Sequence, residues 1–395
     1  MENIKTASPL SLRRGANAVR RRRSAIKLFR QAAASEFILV LILYERLEAV
    51  FNGRQTFFSL RKKLQQYSIR HSGNFQNHLI FPIHLPFAKR CVTMKKTPPK
   101  GWILMNSYLA AAIQMRCNRS PEENRNTALT MVRQAAQQGA KLILLPELFE
   151  HWYFCQEKNY DLYSYATSLE ENQAVQALRP LAKELGVVLP VSFYEKDGLS
   201  LYNTVAVIDA DGSILGVYRK THIPDDHFYQ EKFYFTPGNT GFQVWDTAVG
   251  RIGVGICWDQ WFPEAARCMA LMGAQVLLYP TAIGSEPILE TDSMPHWQRC
   301  MQGHSAANLV PVIAANRVGT EIVTPSEGNN RQSSSLTFYG SSFLTDATGK
   351  ILAQGSREQE EILLAEIHPR EDEELRMSWG VFRDRRPEMY GIISH

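Results

Sequence analysis

Residues 251–259 read Arg-Ile-Gly-Val-Gly-Ile-Cys-Trp-Asp, so apolar residues and glycines alternate up to a single cysteine, Cys257. The chain then becomes polar, reaches Pro263 and begins a helical pattern. This order is typical of a short buried strand that ends at a thiol and is followed by a helix. In open α/β folds, ligands and chemistry lie at the carboxyl ends of strands, so Cys257 is a candidate for such a site. Free cysteines are also often buried in cores, and Cys257 taken alone favours that simpler interpretation.

Strand and helix patterns alternate on both sides of this stretch. A strand pattern at 108–115 precedes a helix with Ser120 as its N-cap, Pro121 at its first position and Glu123 as a capping-box partner. Further predicted elements lie at 141–147, 173–185, 187–193, 263–272, 275–279, 297–309 and 310–316, with hairpins at 201–219 and 337–354. Strands interleaved with helices and hairpins predict an α/β domain in which two mixed sheets lie between layers of helices.

Charge divides the chain into two parts. Residues 1–105 contain 20 lysines and arginines and four acidic residues, whereas residues 106–395 contain 24 and 35. We therefore predict a basic leading segment, 1–105, with little order apart from a local helix around 36–51, and a separate acidic domain, 106–395.

Three interpretations of the leading segment compete. It is an organelle transit segment, a nucleic-acid-binding arm, or translated sequence outside the working protein with the true start at Met94 or Met105. We favour the third, which implies a cytoplasmic protein; the first would imply an organelle. The net negative charge of residues 106–395 argues against a nucleic-acid partner.

The cysteines and histidines do not form a metal site or a disulfide framework in sequence. The six cysteines lie far apart with no Cys-x-x-Cys pair, and no histidines fall at ligand spacing. We therefore expect a reducing compartment, no metal and no cofactor. Cys268 and Cys300 fall in helical patterns, and we expect both to lie in the core. The longest apolar run, 37–44, is shorter than the roughly 18 residues that a membrane span requires, so we expect no membrane partner.

Three segments each place one reactive group at the end of a predicted strand: Glu147, Lys220 and Cys257. A cysteine nucleophile needs a base to take its proton, and a nearby carboxylate can do so. A tetrahedral intermediate needs positive charge or N–H donors at its oxygen, which Lys220 and the Trp258 amide could supply. Each residue alone is weak evidence for catalysis, but their shared position at strand ends favours a common site.

Four motifs carry a family resemblance. They are Leu-Leu-Pro-Glu at 144–147, Arg-Lys-Thr-His-Ile-Pro at 219–224, Phe-Thr-Pro-Gly-Asn at 235–239 and Gly-Val-Gly-Ile-Cys-Trp-Asp at 253–259. In this order they resemble the signatures of the nitrilase, or carbon–nitrogen hydrolase, superfamily. The resemblance implies a four-layer αββα sandwich and a catalytic triad of Glu147, Lys220 and Cys257. A further family glutamate matches Glu231.

Additional stretches at 257–267, 280–287, 339–343 and 382–387 are most similar to the N-carbamoylputrescine amidases of plants and bacteria. That resemblance implies hydrolysis of N-carbamoylputrescine in polyamine biosynthesis, and a homo-oligomer, either a dimer or a larger assembly up to an octamer. Residues 1–93 lie outside it.

The substrate implied by this subgroup ends in a primary ammonium, which should meet a carboxylate or an aromatic face. We expect Glu286 to be the carboxylate, although a solvated loop acid is the plain alternative. Trp258 is the candidate aromatic wall of the substrate channel, with Trp152 and Trp261 as further candidates.

Two classes of alternative remain open. One is another carbon–nitrogen hydrolase, such as a β-ureidopropionase, an ω-amidase or a nitrilase; the first of these would need an arginine for a substrate carboxylate. The other is a non-catalytic binding protein, against which the intact Glu147, Lys220 and Cys257 argue.

Overall fold

The computed structural model describes residues 106–285 and 291–394. The expectations for residues 1–105, and for Glu286, concern residues outside these ranges. Among the described helices, none is long and apolar enough to cross a membrane.

The described residues form strands, helices and short 3-10 turns in alternation. The strands are β1 (Tyr108–Gln114), β2 (Ala140–Leu144), β3 (Leu189–Asp197), β4 (Ser200–Ile208), β5 (Ile214–Arg219), β6 (Val244–Thr247), β7 (Gly250–Val254), β8 (Val276–Pro280), β9 (Val312–Ala315), β10 (Val318–Val323), β11 (Ser334–Tyr339), β12 (Phe343–Thr345), β13 (Ile351–Gln354) and β14 (Glu361–Ile367). The helices are α1 (Pro121–Gln137), α2 (Gln173–Leu185), α3 (Pro263–Leu271), α4 (Met294–Asn308) and α5 (Pro369–Trp379). Two of the 3-10 turns, Glu231–Phe233 and Cys257–Trp261, carry residues of the candidate site.

The strands form two sheets and a separate hairpin. The first sheet runs β14-β1-β2 and continues through a parallel bridge between Leu142 and Val188 into β3-β4-β5. The second runs β13-β12-β9-β8-β7-β6, with β9, β8 and β7 parallel at its centre. Strands β10 and β11 pair with each other, and Phe338 of β11 also forms an isolated antiparallel bridge with Gly284.

Apolar cores between and outside the two sheets hold the layers of the described part together. Buried side chains of both sheets, such as Val205 and Leu278, meet in the core between the sheets. Helices α1 and α2 cover the outer face of the first sheet, and α3 and α4 cover the outer face of the second. The architecture is therefore the αββα sandwich that the sequence predicted.

Several local predictions need correction. The side chain of Ser120 accepts from the amide of Glu123, as expected, but the capping box is incomplete because Asn118 takes both remaining partners: its Oδ1 accepts from the Ser120 amide and its Nδ2 donates to Glu123. The hairpin predicted at 337–354 begins too early, because residues 334–339 form β11, which pairs with β10. The hairpin consists of β12 and β13, which are joined by a turn at 346–349. Cys268 is exposed rather than in the core, because it lies on the outer face of α3, and Cys300 is only partly buried.

Candidate active site

Glu147, Lys220 and Cys257 follow the carboxyl ends of β2, β5 and β7 respectively. All three are buried, and Glu147 and Lys220 have no exposed surface. Because β2 and β5 belong to the first sheet and β7 to the second, the two sheets together build one site. Lys220 pairs with Glu147, and both affect the pKa of the Cys257 thiol, so the structure brings together the three residues that the sequence predicted to share a site.

Lys220 lies between two carboxylates. Its Nζ donates to Glu147 Oε1 at 2.8 Å and to Glu231 Oε2 at 2.6 Å. Burial would lower the pKa of Lys220, but these carboxylates raise it well above its usual value. Lys220 is therefore a fixed ammonium at neutral pH.

In the described part of the chain, the carboxylate of Glu147 accepts hydrogen bonds through one of its two oxygens. Oε1 accepts from Lys220 and also from Asn203 Nδ2, at 2.6 Å. Oε2 is buried and accepts no hydrogen bond from any residue that the structure describes. Buried carboxylate oxygens are normally paired, so a free one is a candidate proton acceptor.

Glu231 begins its own 3-10 turn and is fully buried. Its Oε1 accepts from the hydroxyl of Tyr153 at 2.7 Å. Burial raises the pKa of Glu231 to about 7; the charge of Glu147 adds to this rise, while Lys220 and the Tyr153 hydroxyl oppose it.

Cys257 opens the 3-10 turn after β7 with a left-handed backbone, φ 41°. Its Sγ lies 3.9 Å from the carbonyl oxygen of Ala282. Burial and the charge of Glu147 raise the pKa of the thiol well above its usual value, and Lys220 only partly offsets them. Cys257 therefore rests as a neutral thiol and needs a base to become a nucleophile.

The turn that carries Cys257 is anchored by the buried carboxylate of Asp259. One oxygen accepts from the Ile256 amide at 3.0 Å and the Tyr218 hydroxyl at 2.7 Å. The other accepts from the amide and the ring Nδ1 of His222, at 3.0 and 2.7 Å. These four donors fix the thiol despite its strained backbone.

The Pro-Gly motif at 237–238 binds the main chain of Lys220. The amide of Gly238 donates to the carbonyl of Lys220 at 2.7 Å. A Cβ at Gly238 would collide with the carbonyl of Arg219, so only glycine allows this approach. The motif therefore fixes the main chain from which Lys220 extends.

Comparison with known proteins identifies the family of this chain. The model of the carbon-nitrogen hydrolase family matches residues 109–377. The chain belongs to the carbon–nitrogen hydrolase family.

Relatives of this carbon–nitrogen hydrolase cover the same region. A citrullinase of Francisella tularensis is 51% identical over 290 residues, which are 73% of this chain and 99% of that protein. An N-carbamoylputrescine amidase of Arabidopsis thaliana is 49% identical over 286 residues, 72% of this chain and 94% of that protein. A carbon-nitrogen hydrolase crystal structure from Helicobacter pylori G27 has a TM-score of 0.68 and 39% identity, and the match covers 73% of this chain and 99% of that one.

The three tryptophans predicted to line a channel lie in different surroundings. Trp258 of this hydrolase is 40% exposed, directly after the thiol. Trp261 is partly buried, with its ring 6.2 Å from that of Trp258. Trp152 is buried in an aromatic cluster, where Arg119 lies 4.0 Å above its ring. Trp258 is thus the one of the three that solvent reaches most.

Four polar residues that hold the site were missed by the sequence analysis: Tyr153, Asn203, Asp259 and Arg317. Arg317 is fully buried and follows β9, so it obeys the same strand-end rule that indicated the triad. Asn203 interrupts an apolar strand, which is also a usable signal. Within the described residues, no group of three or more His, Cys, Asp or Glu side chains could hold a metal ion; the expected lack of a metal stays a prediction.

Proposed function

We propose that this amidohydrolase converts N-carbamoylputrescine to putrescine, carbon dioxide and ammonia, with Cys257 as the nucleophile. The observation that carries the proposal is Oε2 of Glu147, to which no described residue donates, in a buried site that also holds a neutral thiol and a fixed ammonium. The similarity to plant N-carbamoylputrescine amidases, about half of the residues being identical, supports the substrate.

In the first half of the proposed reaction, Glu147 Oε2 takes the proton from Cys257 Sγ. The thiolate attacks the carbamoyl carbon, and Lys220 with the Trp258 amide stabilises the resulting oxyanion. The bond to the terminal –NH2 breaks, and the proton held by Glu147 leaves with it as ammonia. The product is a carbamoyl thioester on Cys257.

In the second half, Glu147 takes a proton from water, which attacks the thioester carbon. The C–S bond breaks and the proton returns to Sγ. The released carbamate loses carbon dioxide and leaves the amine. Glu231 keeps Lys220 in place throughout, because it is the lysine's second carboxylate partner.

Citrulline is the second candidate substrate, and the 51% identity to a citrullinase favours it. It carries the same ureido group but ends in an amino acid, so its carboxylate would need a cation. Among the described residues, two cations contact Glu147 and both are already engaged: Lys220 by two carboxylates, and Arg317 by main-chain carbonyls and Glu321. This favours the amine substrate.

We also propose Glu286 as the partner of the substrate ammonium. Glu286→Gln should raise KM for N-carbamoylputrescine about tenfold with little change in kcat, because a charge-assisted hydrogen bond is lost. Asp292→Asn is the control, since Asp292 already pairs with Arg357 at 2.8 Å. An unchanged KM in Glu286→Gln, measured by ammonia release, would remove Glu286 from the site.

A homo-oligomer is part of the same proposal. Large apolar side chains near the carboxyl terminus are exposed, among them Met377, Trp379 and Ile392. Where such side chains form a contiguous patch, they are a common sign of a protein interface. Light scattering coupled to gel filtration should give a mass of two or more chains; a monomer at assay concentration would contradict it.

The deciding experiment is ammonia release by the purified chain from N-carbamoylputrescine, citrulline and N-carbamoyl-β-alanine, with Cys257→Ala as the control. Turnover of N-carbamoylputrescine alone, lost in the variant, is the expected result. Preference for citrulline would move the proposal to the second candidate. Activity on N-carbamoyl-β-alanine alone would contradict the cationic substrate while keeping the reaction type.

A further inference from the structure

Arg317 is a buried cation that contacts the main chain of the proposed base. It lies between β9 and β10 and has no exposed surface. Its Nε and Nη2 donate to the carbonyl of Glu147 at 3.2 and 2.9 Å, and Nη2 also donates to the carbonyl of Leu148 at 2.7 Å. One guanidinium thus holds two consecutive carbonyls at the point from which the Glu147 side chain extends.

The turn that Arg317 holds is strained. Leu148 has a φ of 48°, a left-handed backbone that is unfavourable for a residue other than glycine. The Leu148 amide donates to Ser192 Oγ at 3.0 Å, so the turn is fixed on its other side as well. Arg317 therefore stabilises a backbone conformation that leucine does not favour and that sets the direction of Glu147.

Arg317 is also linked to Glu231, through a chain of hydrogen bonds. Arg317 Nη1 donates to Glu321 Oε1 at 3.0 Å, and Glu321 Oε2 accepts from the Tyr153 amide at 2.5 Å. The Tyr153 hydroxyl in turn donates to Glu231. Arg317 is thereby linked to both carboxylates that bind Lys220.

We propose that Arg317 is a positioning residue for the reaction, which holds the Glu147 carboxylate through the main chain and the Glu231 carboxylate through Glu321 and Tyr153. The proposal rests on the proposed roles of Glu147 and Glu231. A planar fork of five donors suits this task and a lysine ammonium does not, because only the fork reaches two adjacent carbonyls and a carboxylate together. A purely structural arginine would affect stability alone.

The chain offers a closely matched control, Arg376. This half-buried arginine in α5 also donates through Nε and Nη2 to one carbonyl, that of Leu309, at 3.2 Å each. Leu309, like Leu148, is left-handed, with a φ of 50°. Arg376 therefore makes the same kind of contact without touching the candidate site.

The test compares Arg317→Lys with Arg376→Lys in the full chain. For the first, we expect kcat for the ureido substrate to fall about 100-fold with KM within about twofold, since displaced reacting groups cost about that much. For the second, we expect both constants to stay within about twofold while Tm falls. A fall in Tm with unchanged kcat in Arg317→Lys would overturn the proposal.

A substrate-free readout separates this proposal from the proposed function. Iodoacetamide labels Cys257 at a rate that depends on removal of its proton, and peptide mass mapping follows it beside exposed Cys268. Arg317→Lys should slow the labelling of Cys257 about tenfold or more and leave Cys268 unchanged. Equal Cys257 rates in variant and native protein would overturn the proposal, even if neither hydrolyses a ureido compound.

Glu321→Gln gives a second test if Arg317→Lys does not fold. Its neutral amide cannot accept from both Arg317 and the Tyr153 amide, so the hydroxyl of Tyr153 should hold Glu231 less well. We expect kcat to fall about tenfold and the acidic limb of the pH–rate profile to move to higher pH. The titratable groups that face Glu231 are Lys220, Glu147, Tyr153, Cys155 and Cys257, and the variant alters none of them. An unmoved pH profile with unchanged kcat would overturn the proposal.

Discussion

The carboxyl group of Glu231 faces the ammonium of Lys220, the carboxylate of Glu147 and the hydroxyl of Tyr153. Its pKa, raised by burial to about 7, lies within the range of an ordinary activity assay. Below this pH Glu231 gains a proton and Lys220 loses one of its two anionic partners; above it the carboxylate is charged. We therefore expect kcat/KM to fall as the pH decreases through about 7.

The variant Tyr153→Phe tests this reasoning. The Tyr153 hydroxyl lowers the pKa of Glu231, so its removal should raise that pKa further and shift the acidic limb of kcat/KM to higher pH. Ammonia release between about pH 5 and pH 9 measures the shift. Tyr160→Phe is the control, because Tyr160 is 74% exposed and the change removes a tyrosine hydroxyl outside the buried site. An identical profile in Tyr153→Phe would contradict the role assigned to Glu231.

The 3-10 turn Cys257–Trp261 depends on one carboxylate for its shape. Asp259 accepts four hydrogen bonds and holds the turn against the neighbouring His222 and Tyr218. Each of its two oxygens accepts from two donors, so a neutral amide with one acceptor atom cannot replace it.

Asp259→Asn should therefore destabilise the fold by about 1–3 kcal/mol, the cost of buried donors left unpaired. It should also lower kcat about 100-fold, because the thiol is displaced. Calorimetry and ammonia release measure the two effects. Asp246→Asn is the control. It removes a largely exposed ion pair between β6 and Arg251 of β7, and it should change neither the stability nor kcat by much. Full activity in Asp259→Asn would show that the turn holds its shape without this anchor.

Across the whole molecule, every residue to which we assign a role lies in the part of the chain that resembles known hydrolases. The family model begins at residue 109, and the citrullinase match includes 99% of that protein but 73% of this chain. We therefore propose that residues 106–395 form the hydrolase domain and that the leading segment is dispensable for catalysis.

A protein that begins at Met94 should hydrolyse the same substrate with kcat within about twofold of the full chain, since the proposed chemistry needs no earlier residue. Parallel assays of the two proteins at equal concentration measure this. If the shorter protein is folded by circular dichroism and inactive, the leading segment takes part in function. The cytoplasmic location expected from the sequence stays a prediction.

The sequence predicted features that depend on residues close together in the chain, and it missed contacts between residues far apart in it. Glu147, Lys220 and Cys257 were indicated because each lies at the end of its own strand, a local property. Tyr153 and Asn203 hold partners 78 and 56 residues away, and no local pattern joins such pairs. Strand β10 was missed because its alternation of apolar and polar residues is interrupted by Gly319 and followed by a long polar stretch.

The thiol extends from one sheet of the sandwich, and the base and the lysine from the other. Turnover therefore depends on how the two sheets are aligned. A heated or mildly acidified state that kept each sheet but loosened the side-chain packing between them would retain its far-ultraviolet dichroism and lose its chemistry. The inter-sheet core is thus as much a part of the enzyme's working apparatus as the groups that touch the substrate.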